Sequence, residues 1–231
     1  MKRFSLLVIA FLTSSCAYYP HLADIPLIRE KGDTRIEGGI SVIPPLIRAT
    51  VSHGVTENIA IQISGDIGAN EEKYLQGAVG FYNNTQNGKV MEFYGGFGYG
   101  YSDVKSGHDS DFRGRLFGNY QFYFSQFNYG YTNIKDAYIP MESGFGLKLG
   151  YLHSKMTDSN FYERYSENEP YPVLKMNNIV IEPAVFLRFG GEKLKIQAGI
   201  GFCHVFRDFH YSDKRIPFGW VNFGLGLNYS L

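Results

Sequence analysis

From residue 35 onward, apolar and polar positions alternate with a period of two, the repeat of a strand with one greasy face and one wet face. Ile36, Gly38, Ile40 and Val42 oppose Arg35, Glu37, Gly39 and Ser41 until Pro44-Pro45 forces a turn. Ile47, Ala49, Val51 and Val55 then oppose Arg48, Thr50, Ser52 and Gly54, and Ile59, Ile61, Ile63 and Ile67 oppose Ala60, Gln62, Ser64 and Asp66. A fourth segment, about 74–82, sets Leu75, Val79 and Phe81 against Gln76, Ala78 and Gly80. In the fifth, Met91, Phe93, Phe97, Tyr99 and Tyr101 alternate with Glu92, Tyr94, Gly96, Gly98 and Gly100. The sixth, about 119–131, carries Tyr and Phe on both faces, with Phe127, Tyr129 and Tyr131 against Gln126, Asn128 and Gly130. Met141, Phe145, Leu147, Leu149 and Tyr151 oppose Glu142, Gly144, Gly146, Lys148 and Gly150 in the seventh. The eighth runs Ile179, Ile181, Val185, Leu187 and Phe189 against Glu182 and Arg188, with Pro183 suggesting a bulge. Leu194, Ile196, Ala198, Ile200 and Phe202 oppose Lys193, Lys195, Gln197, Gly199 and Gly201, and Val221, Phe223, Leu225, Leu227, Tyr229 and Leu231 oppose Asn222, Gly224, Gly226 and Asn228.

Ten segments are an even number, and a second face made of glycine and charge is foreign to a soluble core strand. The pattern predicts an all-β, up-and-down antiparallel transmembrane β-barrel of about ten strands, with eight or twelve as the neighbouring options. Connection lengths point the same way. The turns 56–58, 83–88, 132–138 and 190–192 are mostly short and share one end, whereas the long connections 102–117, 154–176 and 207–216 share the other, where the links between segments one and two and between three and four are brief. Composition agrees: 18 Tyr, 19 Phe and 27 Gly accompany a charged fraction of only 19%. Twenty-two basic and 22 acidic residues give no net charge, so nothing global attracts nucleic acid.

The first residues read differently. Lys2 and Arg3 precede an apolar run from Leu6 to Leu12, and Thr13-Ser14-Ser15 leads to Cys16, a secretory signal whose end resembles the bacterial lipobox. The expected division is a lipoprotein signal peptide over 1–15, a tether acylated at Cys16 over 16–32, and the barrel over 33–231. With Pro20, Pro26 and no periodicity, the tether reads as an extended leader that meets the barrel at the same, periplasmic, end as the C-terminus. Cys203 would then have no disulfide partner and is expected to be an inert strand residue.

The closing Asn222-Phe223-Gly224, Leu227 and Tyr229 resemble the signal by which bacterial barrels engage their assembly machinery. The stretch Ile25-Pro26-Leu27-Ile28-Arg29-Glu30-Lys31-Gly32-Asp33, with the Tyr-rich segment from Tyr120 to Tyr131, resembles the Bacteroidetes outer-membrane β-barrel lipoproteins. Asp33 stands where that family is expected to carry Glu. The resemblance implies placement in the outer membrane with an acylated cysteine, and it implies no activity.

The wet faces collect Arg35, Glu37, Arg48, Asp66, Glu92, Glu142, Lys148, Glu182, Arg188 and Lys195 in one cylinder. A barrel of this size is filled by its own side chains, so a plugged or very narrow lumen is expected, with a structural role or binding through surface loops. A narrow pore constricted by Arg48, Arg188, Glu92 and Glu182 is the first alternative. A lipid-modifying enzyme built from His153 with Ser154, or from His204, His210 and Asp208, is the second. A soluble, tethered barrel with a ligand cavity is the third. His108, Asp109 and Asp111 read as a solvated loop tip rather than a metal site, and no phosphate-binding or CxxC motif calls for a cofactor. Expected partners are outer-membrane lipids, the assembly machinery, and an extracellular ligand at the loop 154–176, whose Tyr162, Tyr165 and Tyr171 stand among charges.

Overall fold

A computed structural model of the protein describes residues 18, 21, 24–43, 45–68, 71–85, 87–106, 114–132, 140–159, 173–206 and 219–231. The strands are β1 (Thr34–Ile43), β2 (Pro45–Gly54), β3 (Ile59–Gly68), β4 (Lys73–Asn84), β5 (Lys89–Ser106), β6 (Gly114–Tyr131), β7 (Met141–Asp158), β8 (Val173–Gly190), β9 (Leu194–Phe202), β10 (His204–Phe206) and β11 (Val221–Ser230). Each of β1 to β8 pairs antiparallel with the next; β9 pairs with both β8 and β11, and β11 returns to β1 with Ile36 opposite Tyr229. The result is a closed ten-strand up-and-down barrel plus the short β10. Closure leaves no long unpaired edge, the usual liability of a sheet.

Strand β10 continues β9. Gly201 lies opposite Ala184 and His204 opposite Ile181, the same register with Cys203 as the break. Pro183 explains the break: it has no N–H to offer the ladder at this height. The predicted bulge in β8 is therefore absent, since β7 and β8 stay in register through Leu147 opposite Pro183, and the irregularity falls on the partner strand.

The period of two divides inside from outside. Ile47, Ile63, Leu75 and Phe81 are all more than 60% or close to 60% exposed, as part of an apolar belt to which every closing strand contributes. On β7 the belt runs outward from Met141 to Tyr151, about 33 Å of strand, or about 25 Å along the axis at a tilt of ~40°. Tyr99, Tyr123 and Tyr151 stand at one rim, and Tyr131, Phe189 and Tyr229 at the other.

Above the first rim the pattern inverts. Lys155, Lys175 and Asn177 now face out, while Val104, Leu116, Leu152 and Met156 turn in and are buried. This reversal is why strands β5 to β8 extend through residues the period-two reading left in the loops 102–117 and 154–176. Several inward glycines make room for aromatics on neighbouring strands, as where Tyr120 covers Gly100 directly opposite.

Candidate functional site

The lumen is occupied by the chain's own N-terminal segment. At one end, Gly219 N–H donates to the Tyr18 carbonyl at 2.8 Å, just ahead of β11; at the other, Gly32 N–H donates to Gly54 O at 2.8 Å and Leu231 N–H to Thr34 O at 3.0 Å. Tyr18, His21 and residues 24–33 thus mark a path along the length of the barrel before β1 turns back beside β11. This corrects the expected tether: only its C-terminal part lies at the end that holds the C-terminus, and Tyr18 lies at the opposite end. The run Ile25-Pro26-Leu27-Ile28 accounts for the location, because those side chains are almost fully buried inside and would be unpaired apolar surface outside.

An extended chain in mid-lumen has no strand edge to pair with, so luminal side chains must satisfy its backbone. Gln126 Nε2 donates to Asp24 O at 2.6 Å, with Asn128 and Gln62 further out at 3.3 and 3.4 Å. Arg188 Nη2 donates to Ile25 O at 2.7 Å and its Nη1 to Pro26 O at 3.4 Å; Arg35 reaches Leu27 O at 3.5 Å. Ile28 N–H donates to Glu92 Oε1 at 2.8 Å. The Asp24 carboxylate accepts from Thr50 at 2.7 Å and from Gln76 at 2.8 Å, and it faces Arg48. Wall glycines receive the apolar side chains: a Cβ on Gly130 would stand 2.8 Å from Leu27 Cδ1, and one on Gly146 2.9 Å from Ile25 Cδ1. Leu27 itself has φ of 55°, a left-handed conformation costing a non-glycine residue roughly 1–2 kcal/mol, held here by the packing around it.

The ten charged residues expected in the lumen are all inside; nine of them fall in two clusters, and Glu92 stands apart, accepting from Ile28 N–H and from Asn128. Glu142 sits between Arg35 (3.3 Å), Lys195 (3.3 Å) and Arg188 (3.4 Å), and Arg188 also pairs with Glu37. Further along the axis, Asp66 takes His21 Nδ1 at 2.6 Å and Arg48 at 3.1 Å, while Lys148 donates to Gln76 at 3.3 Å beside its cross-strand neighbour Glu182. Arg188 and Lys148 are completely sequestered, so each must be matched locally. All four residues considered as a pore constriction hold the inner segment: Arg48 faces Asp24, Arg188 and Glu92 hold its backbone, and Glu182 accepts from the Tyr18 hydroxyl at 2.9 Å. His21, Asp24 and the Ile25–Ile28 run were missed as site residues. Their available signal was four apolar residues in a row between Asp24 and Arg29, an improbable sequence for a solvated leader.

Beyond His21, an apolar cap of Tyr18, Tyr120, Phe122, Leu152 and Val180 closes the lumen, with His21 stacked on Tyr74 at 3.7 Å between ring centres. Beside Asp24, Arg48 and the glycine-lined face of β1 and β11 lies a small cavity of about 50 Å³, on the scale of a few waters. Glu72, in the β3–β4 connection, is buried with Oε1 lacking a hydrogen-bond partner; burial first, and then Asp66, push its carboxyl well above the usual glutamate range. The folded chain therefore holds that proton more tightly than the unfolded chain, and stability falls as pH rises past the ordinary glutamate pKa. Glu72→Gln, which mimics the protonated acid, is expected to unfold at higher temperature than the parent at about pH 8, with the gap closing near pH ~4. Equal unfolding temperatures across that range would contradict the assignment.

Of the enzyme candidates, the described pair His153 and Ser154 is not brought together. His153 faces outward and bonds Asn177 at 2.7 Å, whereas Ser154, next in the strand, points inward and is buried. His204 stacks edge-on against Phe206, and His210 and Asp208 lie outside the described residues. So do His108, Asp109, Asp111, the cysteine at 16 and residues 160–172 of the proposed binding loop; residues 154–158 and 173–176 of that loop are strand. Among the described residues no three His, Cys, Asp or Glu side chains are grouped to hold a metal ion. Cys203 is a buried free thiol.

Compared with known proteins, the chain matches no family model, no curated protein and no solved structure. The functional reading stands on geometry.

Proposed function

We propose that the protein is an outer-membrane β-barrel, lipid-anchored at Cys16, whose lumen is closed by its own N-terminal segment and whose role is structural or carried by its surface loops. The observation that carries this reading is the inversion of the usual protein: an unbroken apolar belt outside and matched ions inside. A belt of about 25 Å between two aromatic rims suits the hydrocarbon core of a bilayer, where closed barrels are the only strand architecture that satisfies the backbone. The seal supports a non-conducting resting state. The resemblance to Bacteroidetes barrel lipoproteins belongs to the same proposal.

Leu147 lies near the middle of the belt, and Leu147→Arg is expected to destabilise the barrel in bilayers by about 2–4 kcal/mol, read as a lower temperature for heat-modifiable migration on gels. A soluble barrel would be indifferent to an exposed Leu-to-Arg change. Palmitate incorporation should be lost in Cys16→Ala while heat-modifiable migration remains. A parent chain that stays in solution without detergent would refute the membrane reading.

A further inference from the structure

We propose that the acyl chains carried at Cys16 are held at the extracellular face of the membrane, in the outer leaflet, and that the chain then passes inward through its own barrel to the periplasmic end. This rests on the reading of Cys16 as acylated. It reverses the usual placement of a barrel's lipid tether at the periplasmic end, and it follows from where Tyr18, His21 and residues 24–33 lie.

Two fixed points define the path. Tyr18 is pinned to Gly219 through its backbone and to Glu182 through its hydroxyl, within the apolar cap. Asp33 is buried at the other mouth, where its carboxylate meets Arg35 and Ser230. Between them the gripped backbone of Asp24 to Ile28 allows no exchange of ends. Cys16 is two residues from Tyr18, a reach of at most about 7 Å, so it cannot return across a belt of about 25 Å. The way back through the lumen is already filled.

Which end is outside follows from the wall. The Tyr18 end carries the extensions of β5 to β8 with their polar outer surface, and the two longest connections, 159–172 and 207–220, beside 107–113 and the brief links at 44 and 69–72. The opposite end carries 55–58, 85–88, 132–140 and 191–193, none longer than nine residues. Barrels of this kind keep short turns in the periplasm and long loops outside. No threading of lipid through a finished pore is needed. Residues 18–33 precede β1, and the barrel closes only when β1 pairs with β11, so the wall can wrap around a segment already in place.

The experiment places a short protease recognition sequence between Ala17 and Tyr18 of the full chain and labels cells with radioactive palmitate. Protease added to intact cells should release the label from a barrel that still shows heat-modifiable migration. Release only after permeabilisation, from a chain that is labelled and heat-modifiable, would overturn the outer-leaflet placement and leave the lipid-anchored barrel standing. A parent that takes up no palmitate would overturn both. Because the insertion could hinder folding, orientation is also read in a Cys203→Ser background. Lys31→Cys should react with a membrane-impermeant maleimide only after permeabilisation, and Trp220→Cys should react on intact cells. Both residues are exposed, at opposite mouths. The reverse labelling pattern would overturn the proposal.

Discussion

Replacing residues 24–29 with a Gly-Ser sequence of equal length is expected to leave a barrel that unfolds far more easily and passes small ions in planar bilayers, where the parent is silent. Three side chains lose their buried seats, Ile25, Leu27 and Ile28, at roughly 1.5–3 kcal/mol each, so the loss of stability is on the order of 5 kcal/mol or more. The glycine notches at Gly130 and Gly146 are left vacant, and the luminal donors that gripped Asp24 and Ile25 turn to water. Water so admitted is the conducting path. Heat-modification temperature and single-channel recording on the same preparation check both halves. A replacement chain as stable and as silent as the parent would show that residues 24–29 are not what closes the lumen.

The second large effect is expected at Arg188. Its guanidinium donates to the Ile25 and Pro26 carbonyls, pairs with Glu37 and Glu142, and lies over the Phe186 ring at 4.3 Å. Arg188→Met keeps much of the side-chain volume but strands the Glu37 carboxylate and two backbone carbonyls, and breaking a buried pair in this way costs about 3–5 kcal/mol. Glu142 retains Arg35 and Lys195, so the damage centres on Glu37. Adding Glu37→Gln to Arg188→Met should therefore recover part of the loss, with a coupling energy of about 0.5–3 kcal/mol in a double-mutant cycle. Strictly additive effects would mean that the two groups do not depend on each other.

The outer belt was legible because each strand there meets one environment on each side. Ile59, Ile61, Ile63 and Ile67 announce a strand, its face and its register without knowledge of any neighbour. The charged set from Arg35 to Lys195 was legible for the same reason, as the complement of that face. Where the environment changes, the reading stopped: beyond Tyr151 the apolar side turns inward at Leu152 and Met156, and a rule that follows one face sees only a loop. Pro183 was read as a mark on its own strand, yet it acts on its neighbour by withholding a donor from the β8–β9 ladder.

The inner segment was hidden for a different reason. Residues 24–28 have no period, because each backbone group is matched by a side chain from another strand: Ile28 by Glu92, Ile25 by Arg188, and Asp24 by Gln126. Prolines and the absence of periodicity correctly indicate an extended chain, but an extended chain in solvent and one sheathed by a barrel have the same local conformation. By itself, the amino-acid sequence determined the all-β class, the ten closing strands and the sign of each face, since alternation is a local property of a strand between two media. Only the tertiary structure decided what lies along the axis and at which end the chain enters it, since that depends on partners that closure of the barrel alone brings within hydrogen-bonding distance.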